Sequence, residues 1–283
     1  IVDGKPHGDA RLFADGVGLA RAKFVDGRVA QRVPATDRTD WEPKGALRTQ
    51  VPSPCPPGLD GHWLGTDESG HDIVARLFGG FRLLLISALI YLPCAYGIGL
   101  ILGATMGYFG GWFDMASQRA MEIWSNIPFL YAIIFLASLL EPSLAVLVLI
   151  LVAFSWIGLA QQLRASAYQV SARDYVTASR ALGASHARII WRHILPNCTT
   201  IILTTLPFSL HGLVFSLSAL DYLGFGLPPT EPSWGELLHQ AKENWSAWWI
   251  LGPTLFCLVG TMVMINSIGE ALQDAFDVRR AQQ

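Results

Sequence analysis

The sequence predicts an all-α membrane protein, chiefly from its composition and the distribution of its charges. Of the 283 residues, 52% are hydrophobic and 15% are charged, with a mean hydropathy of +0.37. Soluble domains carry about a quarter charged residues. Five windows contain no Asp, Glu, Lys or Arg. Each window can supply the ~20 apolar residues that cross a bilayer, although the second window is barely long enough. The windows are 83–113, 123–140, 142–163, 193–220 and 244–269.

The first 63 residues are polar and rich in Gly, Pro, Asp and Arg. They lack a clear hydrophobic period, so we expect an irregular region with a short hairpin around Gly16 or Gly27. The chain opens without an initiator methionine or a signal peptide. We therefore expect that its start is missing.

The segment 64–82 has a different pattern. Apolar residues fall on one helical face, while Arg76 and Arg82 lie off it. The apolar residues are Ile73, Val74, Leu77, Phe78 and Phe81. This pattern predicts a helix lying at the membrane surface.

The distribution of arginines predicts the orientation. Residues 164–192 contain five arginines against Asp174 alone, which indicates a cytoplasmic loop. Counting outward from this loop places 110–122 and 271–283 inside. The N-terminal region and the mostly acidic segment 220–244 are then external.

Within this arginine-rich loop, local signals predict three short helices. Ser171 and Asp174 have the spacing of a capping box for the first helix. Gly183 suits a left-handed C-terminal cap, Ser185 an N-cap, and Pro196 the first turn of the third helix. The first helix presents small side chains that can lie close to a partner: Ala178, Ser179 and Ala181.

The same loop resembles the coupling loop of ABC importer permeases, which docks onto a separate ATPase. The resemblance rests on the triplet Thr177-Ala178-Ser179, on Gly183, and on Leu195-Pro196 at the family's spacing. Two departures are Thr177 in place of the acid and His193 in place of an isoleucine. The alternative is an ordinary arginine-rich loop. Within 165–196, the resemblance implies these ATPase-coupling residues: Asp174, Thr177, Ala178, Ser179, Gly183, Ala184, Leu195 and Pro196.

The segment 220–237 resembles a loop of the dipeptide and oligopeptide branch of these permeases. In that branch the loop lies at the external mouth, where a substrate-binding protein docks. Glycines permit tight turns, prolines stiffen the backbone, and Ser233 with Glu236 predicts a capped helix. The alternative is a plain structural loop. The implied mouth residues are Gly224, Gly226, Pro228 and Pro229.

The resemblance extends from the Trp63–Asp67 segment to the C-terminal Gly269-Glu270-Ala271 run, and is greatest to microcin C and peptide permeases. It implies a type I permease helical bundle, with five transmembrane helices in this chain and a sixth upstream. The divisions are 1–63 external, 64–82 interfacial and 83–283 the transmembrane permease domain. The implied location is the bacterial inner membrane.

The resemblance also implies partners: a second permease subunit, two ATPase subunits, membrane lipid, and a periplasmic or lipid-anchored binding protein. No nucleic acid is expected. The expected cargo is a peptide or peptide-like compound, with nickel or another small solute as the alternative. No cofactor is expected in this chain, because ATP binds to the partner ATPases.

Enzyme and metal readings are less favoured by the sequence. Gly183-Ala184-Ser185-His186 superficially resembles an intramembrane serine protease, but these residues lie among arginines in a predicted cytoplasmic loop. No Gly-x-Ser-x-Gly, zinc-protease or P-loop motif is present, so no catalytic residue is assigned. A passive channel would not need a docking loop. Four residues suggest a metal site but lack a standard ligand spacing: His62, Asp67, His71 and Asp72.

Polar residues inside the apolar windows are candidates for contact with cargo. Such residues usually face a bundle interior or a cavity, and hydrogen bonding between helices is the alternative role. They are Asn126, Ser155, Gln161, His211 and Asn266. A series of glycines in the first window has the spacing of close helix packing: Gly97, Gly99, Gly103 and Gly107.

Overall fold

The computed structural model describes residues 8–14, 17–25, 28–34, 54–58 and 62–276. The chain divides into two compact units, Ile1–Val74 and Ala75–Gln283. The expected cytoplasmic tail beyond residue 276 lies outside the described residues, as does most of 35–61.

The first unit contains a three-stranded antiparallel sheet in the order β1-β2-β3. The strands are β1 (Gly8–Ala14), β2 (Val17–Val25) and β3 (Arg28–Pro34). Consecutive strands are separated by Asp-Gly dipeptides, the sequence that favours two-residue hairpin turns. The strands on either side of Gly16 and of Gly27 pair antiparallel, as the predicted hairpin requires, while Gly16 and Gly27 themselves lie outside the described residues. The expectation of an irregular region is wrong for these three strands.

Hydrogen bonds within a turn join the suggested metal-binding residues. His62 Nδ1 lies 2.7 Å from Asp72 Oδ2, and the main-chain N–H of His71 donates to Asp67 Oδ1 at 2.7 Å. A short antiparallel bridge pairs Thr66 with Asp72. Among the described residues, no group of three His, Cys, Asp or Glu side chains is placed to hold a metal ion.

Helices make up the second unit. The long helices are α1 (Ile73–Phe109), α4 (Leu144–Ser171), α8 (Thr199–Tyr222) and α10 (Trp248–Phe276). Shorter helices connect them: α2 (Gly111–Ser125), α3 (Phe129–Leu139), α5 (Asp174–Ala181), α6 (His186–Ile189), α7 (Leu195–Asn197) and α9 (Trp234–Glu243). A π-turn, Ile190–Ile194, joins α6 to α7.

Four helices in the described part of the chain are long and apolar enough to cross a membrane: α1, α4, α8 and α10. This is one fewer than the five windows predict. The second window is divided because α2 ends at Ser125 and Pro128, with extended backbone, precedes α3. The 11 residues of α3 rise about 17 Å, roughly half of the ~30 Å hydrocarbon layer.

The predicted interfacial helix is not separate from the first span. One continuous helix, α1, begins at Ile73 and runs 37 residues, with Pro93 inside it. The burial of Arg76 was not expected, because the sequence places it off the apolar face, whereas Phe78 on that face is 73% exposed. The reason is a hydrogen-bonded contact that Arg76 makes far along the chain, described below.

Glycines let α1 pack closely on α4. A Cβ at Gly103 would lie 2.6 Å from the Ala160 carbonyl oxygen, and one at Gly107 would lie 2.5 Å from that of Arg164. Gly99 is similarly close to Leu159, whereas Gly97 faces open space. The close-packing prediction is confirmed for Gly99, Gly103 and Gly107. These contacts leave no room for a side chain at the crossing.

An ion pair joins α2 to α4. Arg164 Nε and one terminal nitrogen donate to the two carboxylate oxygens of Asp114 at 2.5 and 2.6 Å. These hydrogen bonds lower the pKa of Asp114 below its usual value. Arg164 therefore contributes to packing as well as to the positive charge of the predicted cytoplasmic side.

Candidate functional site

The segment 172–198, which we call the coupling loop, begins with the helix α5. Its predicted capping box is wrong because α4 continues through Ser171, whose hydroxyl donates to the Tyr168 carbonyl at 2.8 Å. Arg173 occupies the N-cap of α5 without a side-chain cap hydrogen bond. Asp174 is the first residue of α5, where its negative charge favours the positive end of the helix dipole.

The predicted glycine cap of α5 is confirmed. Gly183 has φ +81°, and its N–H donates to the Arg180 carbonyl at 3.0 Å. The N–H of Ala184 donates to the Ser179 carbonyl at 3.1 Å. Together these two bonds form a Schellman motif, which satisfies carbonyls left open at the helix end.

The rest of the coupling loop also follows the predicted signals. Ser185 caps α6 by accepting from the Arg188 N–H at 3.4 Å, and Pro196 lies in the first turn of α7. The π-turn lies directly before Pro196. Proline has no N–H for the carbonyl four residues earlier, so the regular hydrogen-bond pattern cannot continue there.

The predicted coupling residues divide into an outer and an inner set. Asp174, Thr177, Ala178, Gly183 and Pro196 are exposed, Ser179 and Ala184 are half-buried, and Leu195 is buried. The sequence analysis missed Leu182, which follows Ala178 by four residues and is 88% exposed. Small side chains at Thr177 and Ala178 therefore form one part of the exposed surface of α5, beside the exposed Tyr175 and Arg180.

The inner face of the coupling loop is part of the core. Val176, Ile189 and Ile194 are fully buried in a cluster with residues of α1 and α4. The cluster includes Tyr96, Ala104 and Tyr108 from α1, and Leu159, Leu163, Ala167 and Val170 from α4. Because protein cores pack densely, a displacement of these short helices is passed to the long ones.

The sequence reasoning also missed the role of Tyr108 in α1. The Tyr108 hydroxyl lies 2.8 Å from His186 Nδ1 of α6. The guanidinium carbon of Arg180, in α5, lies 5.0 Å from the centre of the Tyr108 ring. One buried side chain therefore contacts both α5 and α6.

The segment 223–233, which we call the mouth loop, follows the helix α8, and α8 ends with the same kind of glycine cap as α5. Gly224 has φ +79°, and its N–H donates to the Asp221 carbonyl at 3.0 Å. The N–H of Phe225 donates to the Leu220 carbonyl at 2.9 Å. A second Schellman motif therefore ends α8. Pro228 and Pro229, two of the predicted mouth residues, are exposed.

Gly226 has a different role from the predicted turn. A Cβ at this position would lie 1.6 Å from Asp221 Oδ1. Asp221 is buried and accepts from the Leu227 N–H at 2.7 Å and from the Ser233 hydroxyl. Gly226 therefore provides space for the carboxylate that organises the mouth loop.

The mouth loop is fastened to the start of α1. Arg76 donates to the carbonyl oxygens of Pro229 and Glu231 at 2.7 and 2.6 Å. The indole N–H of Trp234 donates to the Leu77 carbonyl at 2.9 Å. Ser233 caps α9 by accepting from the Glu236 N–H at 3.3 Å, as predicted.

A polar groove lies between the long helices. A cavity of about 800 Å³ contacts α1, α4, α8 and α10, and a second of about 710 Å³ adjoins it. Both are lined by Tyr91, Ser155, Gly158 and Gly212. Hydroxyl groups from α8 line the larger cavity: Thr200, Thr204, Thr205 and Ser209. Neutral hydrogen-bonding side chains therefore line the larger cavity together with apolar surface, and Asp274 is the charged residue among those that line it.

The five polar residues predicted to contact cargo do not lie together in the structure. Ser155 lines both cavities, and Gln161 lines the smaller one. Asn126 instead donates to the Glu122 carbonyl at 2.7 Å at the end of α2. Asn266 is exposed and His211 is half-buried, and neither lines these two cavities.

Residues 99–282 match a protein family described as "Binding-protein-dependent transport system inner membrane component". This chain belongs to that family. It is 43% identical over 220 residues to YejE, the peptidoglycan transport system permease protein of Agrobacterium fabrum, across 77% of this chain and 58% of the relative. It is 40% identical over 269 residues to YejE, the inner membrane ABC transporter permease protein of Escherichia coli, across 93% and 78%.

A further relative is DppC, the dipeptide transport system permease protein of Bacillus subtilis. It is 33% identical over 224 residues, across 78% of this chain and 70% of the relative. A solved chain of the MetNI methionine ABC transporter, in an inward-facing conformation, has a TM-score of 0.56 at 18% identity. That match covers 72% of this chain and 95% of the other.

Membership of this family confirms that the chain is an inner-membrane transport component and not an enzyme. The structural match confirms the helical permease fold. The structure also gives the places of Ser185 and His186: Ser185 caps a helix, while His186 contacts Tyr108. The two residues of the superficial protease motif therefore have separate structural roles.

Proposed function

We propose that this chain is a permease subunit of an ABC importer for peptides or peptide-like compounds, including those of the microcin C type. It pairs with a second permease subunit, two ATPase subunits and a periplasmic or lipid-anchored binding protein. Support comes from the relatives, whose names refer to peptidoglycan and dipeptide transport.

The groove favours this cargo over a bare metal ion. Its hydroxyl and amide groups can exchange hydrogen bonds with peptide main-chain groups. A bare nickel ion would instead need several imidazole or carboxylate ligands, and Asp274 is the one such side chain among the residues that line the larger cavity. Ser155, Gln162, Thr204 and Ser209 supply such neutral groups around the larger cavity.

The coupling loop carries the mechanistic part of the proposal. Its outer surface on α5 exposes small side chains at Thr177, Ala178 and Ala181, where an ATPase surface can approach closely. Its inner face is buried against α1 and α4. When ATP binding draws the two ATPases together, the coupling loop passes the movement to the long helices, which alternately open the groove to each side.

The proposal includes an orientation: the coupling loop is cytoplasmic, while the mouth loop and the N-terminal region are external. In a variant without native cysteines, we expect a membrane-impermeant thiol reagent added to intact spheroplasts to label Glu231→Cys. Arg180→Cys should react only after the membrane is permeabilised. Labelling of Arg180→Cys from outside would reverse the orientation.

The docking surface is tested by Ala178→Trp. Ala178 is exposed, so the larger side chain leaves the fold intact but obstructs a closely packed partner. We expect transport and ATPase association to fall by about fivefold to a hundredfold, since overpacking costs typically 1–3 kcal/mol and each 1.4 kcal/mol is tenfold in an equilibrium. The measurement is uptake by the reconstituted transporter, with co-purification of the ATPase.

Ala271→Trp is the matched control for this experiment. Ala271 is also exposed, but it lies near the end of α10, away from the coupling loop in the chain. It should retain uptake and ATPase co-purification. Full uptake by Ala178→Trp would show that α5 is not the docking surface.

A further inference from the structure

The C-terminal end of α1 is held by the coupling loop. Tyr108 hydrogen-bonds to His186 and lies under the Arg180 guanidinium. The neighbouring Phe109 ring packs at 5.4 Å from the His186 ring. Gly107, one residue earlier, lies directly against the backbone of α4. This end of α1 is therefore enclosed by α4, α5 and α6.

The N-terminal end of α1 is held by the mouth loop. Arg76 is only 4% exposed and donates to two mouth-loop carbonyls, and Trp234 donates to Leu77. Gly79 and Gly80 leave no space here, since a Cβ on each would lie within 2.7 Å of Pro232 and Trp234 respectively. The contact combines buried hydrogen bonds with close packing.

These two fastenings lie 32 residues apart on one helix, which corresponds to about 48 Å. The helix α8 joins the same two loops covalently, because it follows the coupling loop and precedes the mouth loop in the sequence. Midway, the Tyr96 hydroxyl of α1 lies 3.1 Å from the Ser209 hydroxyl of α8. The two helices and the two loops therefore form a closed frame.

We propose that this frame moves as one element and that Arg76 and Tyr108 are the positioning residues that close it. The inference rests on the proposed function of the two loops and adds a route between them. Binding-protein contact at the mouth loop reaches the coupling loop through α1 and α8 together. If either fastening is broken, α8 can move without α1, and the signal weakens.

The test uses the complete reconstituted transporter with its binding protein. Tyr108→Leu removes both contacts of the ring with the coupling loop, and Arg76→Met removes the donors to the mouth loop. We expect each to lower binding-protein-stimulated ATP hydrolysis about tenfold, within the range of measured coupling between sites. Unstimulated hydrolysis and subunit association should remain unchanged.

The closed frame also predicts how the two changes combine. If the frame is closed, breaking either contact already lets α8 move without α1. The stimulated ATP hydrolysis of the double variant should therefore remain within about twofold of that of the less active single variant. Effects that instead multiply to about a hundredfold would show two independent contacts and overturn the frame. Tyr108→Phe, which keeps the ring but loses the hydroxyl, should fall between Tyr108→Leu and the unchanged protein.

Two exposed residues provide matched controls. Phe78→Leu changes α1 two residues after Arg76, and Tyr131→Leu removes an aromatic ring from α3; both side chains are more than 70% exposed. Both variants should retain stimulated hydrolysis. If Arg76→Met does not accumulate in the membrane, Arg76→Gln, whose shorter neutral side chain cannot reproduce the two-nitrogen contact with Pro229 and Glu231, takes its place in the same comparison.

Comparison with Ala178→Trp separates this inference from the proposed function. If Ala178→Trp abolishes ATPase association while Tyr108→Leu and Arg76→Met remain fully stimulated, the docking surface stands and the frame is wrong. If Ala178→Trp retains full transport, the proposed coupling loop itself is wrong.

Discussion

The coupling loop and the mouth loop begin alike but are built for different tasks. Each follows a helix that ends in a Schellman motif, at Gly183 and at Gly224. The coupling loop then turns a small-residue surface outward and apolar residues into the core. The mouth loop instead forms hydrogen bonds to two buried charged side chains, Asp221 of α8 and Arg76 of α1.

This difference indicates how each loop responds to a partner. Apolar burial is not directional, so the coupling loop and the core it packs against can move together without breaking a specific hydrogen bond. Buried hydrogen bonds are directional, and an unsatisfied buried group is costly, so the mouth loop has one defined shape. We infer that the first loop transmits movement and that the second presents a fixed surface.

The largest expected effect is that of Gly226→Ala. The added methyl would overlap the Asp221 carboxylate and displace it from the Leu227 N–H. Overpacking together with a lost buried hydrogen bond costs about 3 kcal/mol or more. The thermal midpoint of the purified permease should fall, and a protease should cut the mouth loop faster.

Thr230→Trp is the informative control for this change. Thr230 is exposed in the same loop, so stability should remain while the response to the binding protein is lost. An unchanged midpoint in Gly226→Ala would show that the mouth loop is adaptable and remove the contrast with the coupling loop.

A smaller and nearly equal effect is expected from Gly183→Ala and Gly224→Ala. Both glycines have positive φ, and a Cβ at either one meets nothing within 4 Å. Each variant should therefore lose only the free energy of holding a non-glycine residue at positive φ, about 1 kcal/mol. Unfolding midpoints of the two variants, measured side by side, should agree closely. A much larger loss at Gly183 would reveal packing that the structure does not show.

Signals between near neighbours in the chain were predictable from the sequence. Gly183 marks a helix end, while Ser185 and Ser233 mark helix starts, because these rules act over three to five residues. The Asp-Gly hairpins belong to the same class. Ser171 was misread because a helix can also continue through a serine whose hydroxyl bonds to its own preceding turn.

Contacts between distant residues were not predictable. Arg76 meets Pro229 across 153 positions, and Tyr108 meets His186 across 78. A lone arginine on an apparent surface helix carries no local signal that it will be buried. Asp221 was counted as an external charge, although Gly226, five positions later, accommodates it. In each case tertiary packing determines the role.

The π-turn at Ile190–Ile194 keeps two isoleucines of the coupling loop on the buried side. Ile189 and Ile194 are five positions apart, and both are fully buried. A regular helix advances 100° per residue, so positions five apart are 140° from each other; the wider turn brings them to one side. With one residue fewer, the two isoleucines would be four positions apart, which is 40° in a regular helix, and both would remain on the buried side. The π-turn thus accommodates one additional residue before Pro196 while Leu195 and Cys198 stay buried ahead of α8.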